Sequence, residues 1–167
     1  LDRKLGIGRP DSPPFTLNNA VDALLKKEFD TYRGLGEPHP IMLQASFDGV
    51  PFKHPDLDRW RDNRNGVQTL HKETGFLAFG AIDDVWIDAS GKLFVVDYKA
   101  TSSELEATLD GEWKKSYRRQ AEVYQWLLRR NGFTVSDRAY FVYANGDKSK
   151  STFDACLHFL MSVLPYD

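Results

Sequence analysis

Residues 76–88 and 92–99 are rich in Val, Ile, Phe and Trp and are separated by the polar stretch Ala89-Ser90-Gly91. This pair of runs constrains the chain more than any other feature, because it predicts an antiparallel β-hairpin with a short loop. A loop over 89–91 sets Val85 opposite Val95 and Ile87 opposite Leu93, and the same register sets Asp83 opposite Asp97. Directly opposed residues share a face, with Cβ atoms about 4.5–5.5 Å apart. Two ionised carboxylates that close repel each other unless a cation stands between them. Lys99 is two residues beyond Asp97 and points to the same face. Two converging oxygen donors beside an ammonium suit Mg²⁺ or Mn²⁺. A charged hairpin edge, with Lys99 simply pairing Asp97, accounts for the spacing equally well. Asp84 points to the other face, among Ile82, Trp86, Val96 and Tyr98, and reads as a structural hydrogen-bond acceptor.

The rest of the chain supplies elements to cover this hairpin. Residues 6–14, "GIGRPDSPP", read as a loop. Thr16 or Asn18 then caps a helix over about 19–33, with Val21, Leu25, Phe29 and Tyr32 as its apolar stripe. Between there and Phe76 the breakers "EPHP", "DGVP" and "KHPD" leave short pieces, either a substrate-facing insertion or a long irregular connection. A second helix spans 112–131 and stops at Gly132. Residues 138–144 read as a strand, and the alternation of Phe153, Ala155, Leu157 and Phe159 predicts another over 152–163. Helix, hairpin, helix, strand, strand is the order of an α/β fold, with helices flanking a mixed central sheet.

At 167 residues the chain is long enough for one domain with a sizeable core. The net charge of −2 gives no bulk basicity, which argues against a nonspecific nucleic-acid coat. Cys156 is the single cysteine, so no disulfide framework or cysteine-held cluster is expected, and a reducing, cytoplasmic setting is the default. No apolar run approaches the ~18 residues that a membrane span needs. The start at Leu1 in "LDRKLG" suggests a domain truncated at one or both ends. The four histidines are scattered, and no Gly-rich phosphate loop occurs.

On the second helix Trp113, Tyr117, Gln120, Tyr124 and Leu127 share one face. Gln120 is the polar member of that stripe. It is either a buried glutamine bonded to backbone or, with Tyr124 one turn on, part of a site lining that holds substrate or water. Lys114, Lys115, Arg118 and Arg119 crowd the start of the helix, as a phosphate grip or as a solvated face.

Taken together, "GAID" at 80–83, "DYK" at 97–99 and "QAEVY" at 120–124 resemble the PD-(D/E)XK nuclease superfamily. The pattern G-x-x-D, D-x-K, Q-x-x-x-Y is most similar to its RecB-like branch, which includes the CRISPR-associated RecB-like exonucleases. The resemblance covers about residues 16–145. It implies a restriction-endonuclease-like core and a Mg²⁺- or Mn²⁺-dependent hydrolase acting on DNA, with protein partners in DNA repair or defence. Asp83 and Asp97 would be metal ligands, Lys99 the catalytic lysine, and Gln120 and Tyr124 would position water and substrate backbone. Where the family's upstream helix offers a histidine to the metal, this sequence has "VDALL", so the matching position is Asp22, with Glu28 as the other candidate. The alternative is a nuclease-fold module without activity that binds DNA or serves in assembly.

Overall fold

The computed structural model describes residues 16–103, 108, 109, 111 and 114–167. The loop expected at 6–14, the "LDRKLG" start and Trp113 lie outside the described residues. The first helix, α1 (Thr16–Leu35), buries Val21, Leu25 and Phe29, the stripe that the spacing predicts. Both expected caps, Thr16 and Asn18, lie inside it instead. The apolar stripe begins at Val21, so periodicity says nothing about a polar first turn.

The broken stretch after α1 is more ordered than its breakers suggest. It holds α2 (Pro40–Gln44), β1 (Gly49–Pro51), α3 (Leu57–Arg61) and β2 (Val67–His71). Then come β3 (Phe76–Gly80), β4 (Asp84–Asp88), β5 (Leu93–Thr101), α4 (Lys115–Arg130), β6 (Ala139–Gly146) and β7 (Phe159–Tyr166). Five strands form one mixed sheet in the order β1-β4-β5-β6-β7. β5 and β6 run parallel across the α4 crossover, and the other neighbours are antiparallel. β2 and β3 form a separate hairpin that packs on α4.

β5 is buried from Leu93 to Tyr98, as expected of a central strand covered on both faces. Its alternate residues feed two cores. Trp86, Phe94, Val96, Tyr98 and Val142 meet α1 through Val21, Leu25 and Phe29. Val85, Leu93, Val95 and Phe141 meet α4 through Ala121, Leu127 and Leu128. The β4–β5 register is the one the loop predicts, with Val85 opposite Val95 and Ile87 opposite Leu93. Gly91 takes φ +84°, the left-handed turn conformation that glycine adopts without strain.

Three expectations need correction. The run 76–88 is two strands, because the chain leaves the ladder at Ala81–Asp83. The Ile82 amide donates to the Trp60 carbonyl at 3.0 Å, and the Ile82 side chain enters the α4-side core, not the Asp84 face. The strand expected at 152–163 begins only at Phe159, with Phe153 exposed and Asp154 and Ala155 at positive φ. On α4 the deeply buried glutamine is Gln125, whose side-chain amide donates to the Asp137 carbonyl at 2.7 Å, whereas Gln120 is half-buried.

Candidate active site at the broken end of the sheet

The break before β4 shapes the site. The last ladder pair is Asp84 with Val96, so Asp83 stands in the bend beyond it and does not form the next rung opposite Asp97. Its side chain takes over a strand's role: Asp83 Oδ2 accepts the Tyr98 backbone amide at 2.9 Å. Arg61 from α3 fixes the bend, its Nε donating to the Asp83 carbonyl at 2.9 Å. The same guanidinium holds Asp30 of α1 through Nη1 at 2.9 Å.

Asp97 lies on the α4 side of β5, opposite Phe141 of β6, and is 2 % exposed. Its ion-pair partner among the described residues is Lys99, and its Oδ1 has no hydrogen-bond partner. Burial raises the Asp97 carboxyl to about 6, with the charges of Asp83 and Asp22 adding to the rise against the opposing pull of Lys99. Asp83 is also raised, first by burial and then by Asp22, against the pull of Lys26. The Lys99 ammonium sits 4.3 Å from the Tyr117 ring centroid, a cation–π distance.

Asp22 comes from α1, beside the buried stripe, and faces this cluster. Lys26, one turn further along, places its ammonium 2.8 Å from Asp22 Oδ2 and 3.4 Å from Asp83 Oδ1. A cavity of about 280 Å³ is lined by Asn18, Asn19, Asp22, Asp83, Lys99 and Tyr117, among others. Glu28 points elsewhere: its Oε1 meets His39 Nε2 at 2.8 Å. The Gln120 side-chain amide donates to the Tyr124 hydroxyl at 2.7 Å. Burial, together with the negative charge of Asp97 and Asp83, raises the Tyr124 phenol. Gly80 explains how that ring comes so close. A Cβ there would stand 2.6 Å from Tyr124 Cε1, so the first position of "GAID" must be bare for Tyr124 to lie against β3.

Asp22, Asp83, Asp97, Lys99, Gln120 and Tyr124 are therefore brought to one end of the sheet, and Glu28 is not. Lys114 is withdrawn from any surface grip: it is buried, and its ammonium donates to the Thr108 carbonyl. Sequence reasoning missed Lys26 and Arg61. The i,i+4 spacing of Asp22 and Lys26 was a usable signal. Arg61 carried none, because its contact spans 22 residues.

The donor chemistry fits a hard divalent cation. Asp83 and Asp97 have raised proton affinity, Asp22 faces them from α1, and among the described residues a buried oxygen of Asp97 has no hydrogen-bond partner. Among the described residues no three acidic, histidine or cysteine side chains converge as a finished metal cage. The ammonium groups of Lys26 and Lys99 lie against the carboxylates instead.

The sequence model of the PD-(D/E)XK nuclease superfamily matches residues 12–157, most of the chain. No significant match to a curated protein or to a solved structure was found. The chain belongs to the PD-(D/E)XK nuclease superfamily, and the mixed sheet flanked by helices is the fold that membership entails. Nucleases of this superfamily generally use divalent metals such as Mg²⁺ or Mn²⁺, and membership implies a DNA substrate. Among the described residues no helix is long and apolar enough to cross a membrane.

Proposed function

We propose that the chain is a Mg²⁺- or Mn²⁺-dependent nuclease of the RecB-like branch, hydrolysing DNA phosphodiester bonds as an exonuclease. The observation that carries this reading is the meeting of Asp83, Asp97 and Lys99 with Asp22 of α1 and the Gln120–Tyr124 pair of α4. Asp83 and Asp97 hold the metal, and Asp22 completes the set from the facing helix. A bound divalent ion supplies Lewis acidity and makes a water a better nucleophile near neutral pH.

The remaining chemistry belongs to the chain. Lys99 orients the attacking water and stabilises negative charge that grows on the phosphoryl oxygens. Its seat against Asp97 and the Tyr117 ring keeps its ammonium aimed into the site. Tyr124, kept protonated by its raised phenol, can donate toward the substrate backbone, while Gln120 fixes its hydroxyl. Asn18 and Asn19 offer amides to a phosphate entering the cavity.

End-labelled linear DNA and closed circular DNA, each with Mg²⁺, Mn²⁺ or EDTA, test this directly. Metal-dependent loss of the linear substrate with the circle intact is the expected result. Lys99→Ala should slow cleavage ~10²–10³-fold, with a circular-dichroism melt showing a folded protein. Wild-type cleavage by that variant would remove the mechanism. Metal-dependent DNA binding without cleavage by the wild type would favour the inactive binding or assembly module.

A further inference from the structure

Lys26 stands where a cation is needed. Its ammonium contacts the two carboxylates that face each other across the α1–β4 junction, at 2.8 Å from Asp22 and 3.4 Å from Asp83. It is tethered to the same helix as Asp22, one turn away, so it cannot diffuse off. Its side chain is 21 % exposed, which places it at the boundary of the site. A lysine ammonium is a compact point charge on a flexible stem, able to occupy a cation position without fixed coordination geometry.

We propose that Lys26 is a built-in counter-cation that competes with the divalent metal for Asp22 and Asp83 and so weakens metal binding at this site. The inference rests on the metal-site reading above. In the metal-free protein the Lys26 ammonium offsets repulsion between the two carboxylates and keeps both turned inward. A divalent ion entering between them must displace that ammonium, so its apparent affinity is reduced by the strength of the Lys26 contacts. Lys99 plays no such part toward Asp22. It stands on the Asp97 side and is needed there for the reaction.

Mn²⁺ titration followed by the paramagnetic signal of the free ion reads metal binding without any turnover. Lys26→Met removes the charge and keeps the length of the side chain, and Lys26→Gln serves as a second neutral variant should the first fail to fold. Each neutral variant should bind Mn²⁺ about tenfold more tightly than the wild type, and Lys26→Arg should bind as the wild type does. Equal or weaker Mn²⁺ binding by a folded neutral variant, beside a wild type that does bind the ion, would overturn the role of Lys26 and leave the metal site standing. If neither the wild type nor the neutral variants bind Mn²⁺, the metal reading itself fails, and the competition falls with it.

Discussion

Asp83 and Asp84 are neighbours in the chain, yet the two regions that receive them solve opposite problems. On the α1 face of the sheet, Asp84 is fully buried and surrounded by donors. Arg33 and Arg61 pair with it, the Tyr98 hydroxyl donates to it at 2.6 Å and the Val85 amide at 2.8 Å. At the broken end of the sheet, Asp83 has the Tyr98 amide and a shared lysine, and it faces two other carboxylates. Tyr98 serves both regions, its hydroxyl on one side and its amide on the other. The first region uses charge to lock α1 and α3 onto the sheet. The second keeps charge under-compensated, which costs stability and suits the cation site proposed above.

The comparison breaks most sharply through stability. Asp84→Ala leaves two guanidinium groups facing an empty acceptor position in the core. Removing one partner of a buried pair of this kind costs ~3–5 kcal/mol. Asp83→Asn keeps an acceptor for the Tyr98 amide and removes a repelling charge, so it should stay within about 1 kcal/mol of the wild type. Urea unfolding of the metal-free proteins checks both. Similar large losses in the two variants would mean that the broken end is as structural as the α1 face.

A smaller effect sharpens the contrast through pH. The Asp97 carboxyl is raised to about 6, and the Asp83 carboxyl is raised as well. A group that binds its proton more tightly when folded stabilises the fold at low pH and gives that stability up as pH rises through the folded value. For Asp97 the window runs from about 4 to about 6, and the loss is about 3 kcal/mol at most. The metal-free protein should therefore melt at a lower temperature at pH 7 than at pH 5, and Asp97→Asn should flatten that slope. Added Mn²⁺ should restore the wild type at pH 7 and not the variant. A wild-type profile that rises steadily from pH 5 to pH 7 without metal would contradict the electrostatics assigned to this end of the sheet.

Much of the hairpin was legible because its register is written in alternation: Val85, Ile87, Leu93 and Val95 all need one face. The break at Ala81–Asp83 was not legible. Ile82 looks like a strand residue, and it is pulled from the ladder by the Trp60 carbonyl, far upstream. The alternation of Phe153, Ala155, Leu157 and Phe159 was as regular as that of a true strand, so periodicity alone could not reject it. Backbone at positive φ and partners on β6 decided where β7 begins. Gln120 and Gln125 differ by less than two turns on one helix, and only the position of the Asp137 carbonyl tells which is buried. Positions set by local period were readable, and those set by a distant partner were not.

The smallest effect concerns which α1 carboxylate belongs to the site. Asp22 and Glu28 flank the same buried stripe from opposite edges, and the sequence offers both. The structure separates them: Asp22 lines the cavity with Asp83 and Lys99, whereas Glu28 is engaged with His39. Asp22→Ala should weaken Mn²⁺ binding about tenfold, ~1.4 kcal/mol, since one of the three proposed oxygen ligands is lost while Asp83 and Asp97 remain. Glu28→Ala should leave Mn²⁺ affinity unchanged within twofold and change only the anchoring of His39, which also stacks on Phe29 at 4.3 Å. Calorimetric titration of the two variants decides the matter. Equal affinities would return Asp22 to the status of an ordinary helix charge, and a greater loss in Glu28→Ala would mean that α1 presents its other edge when metal binds.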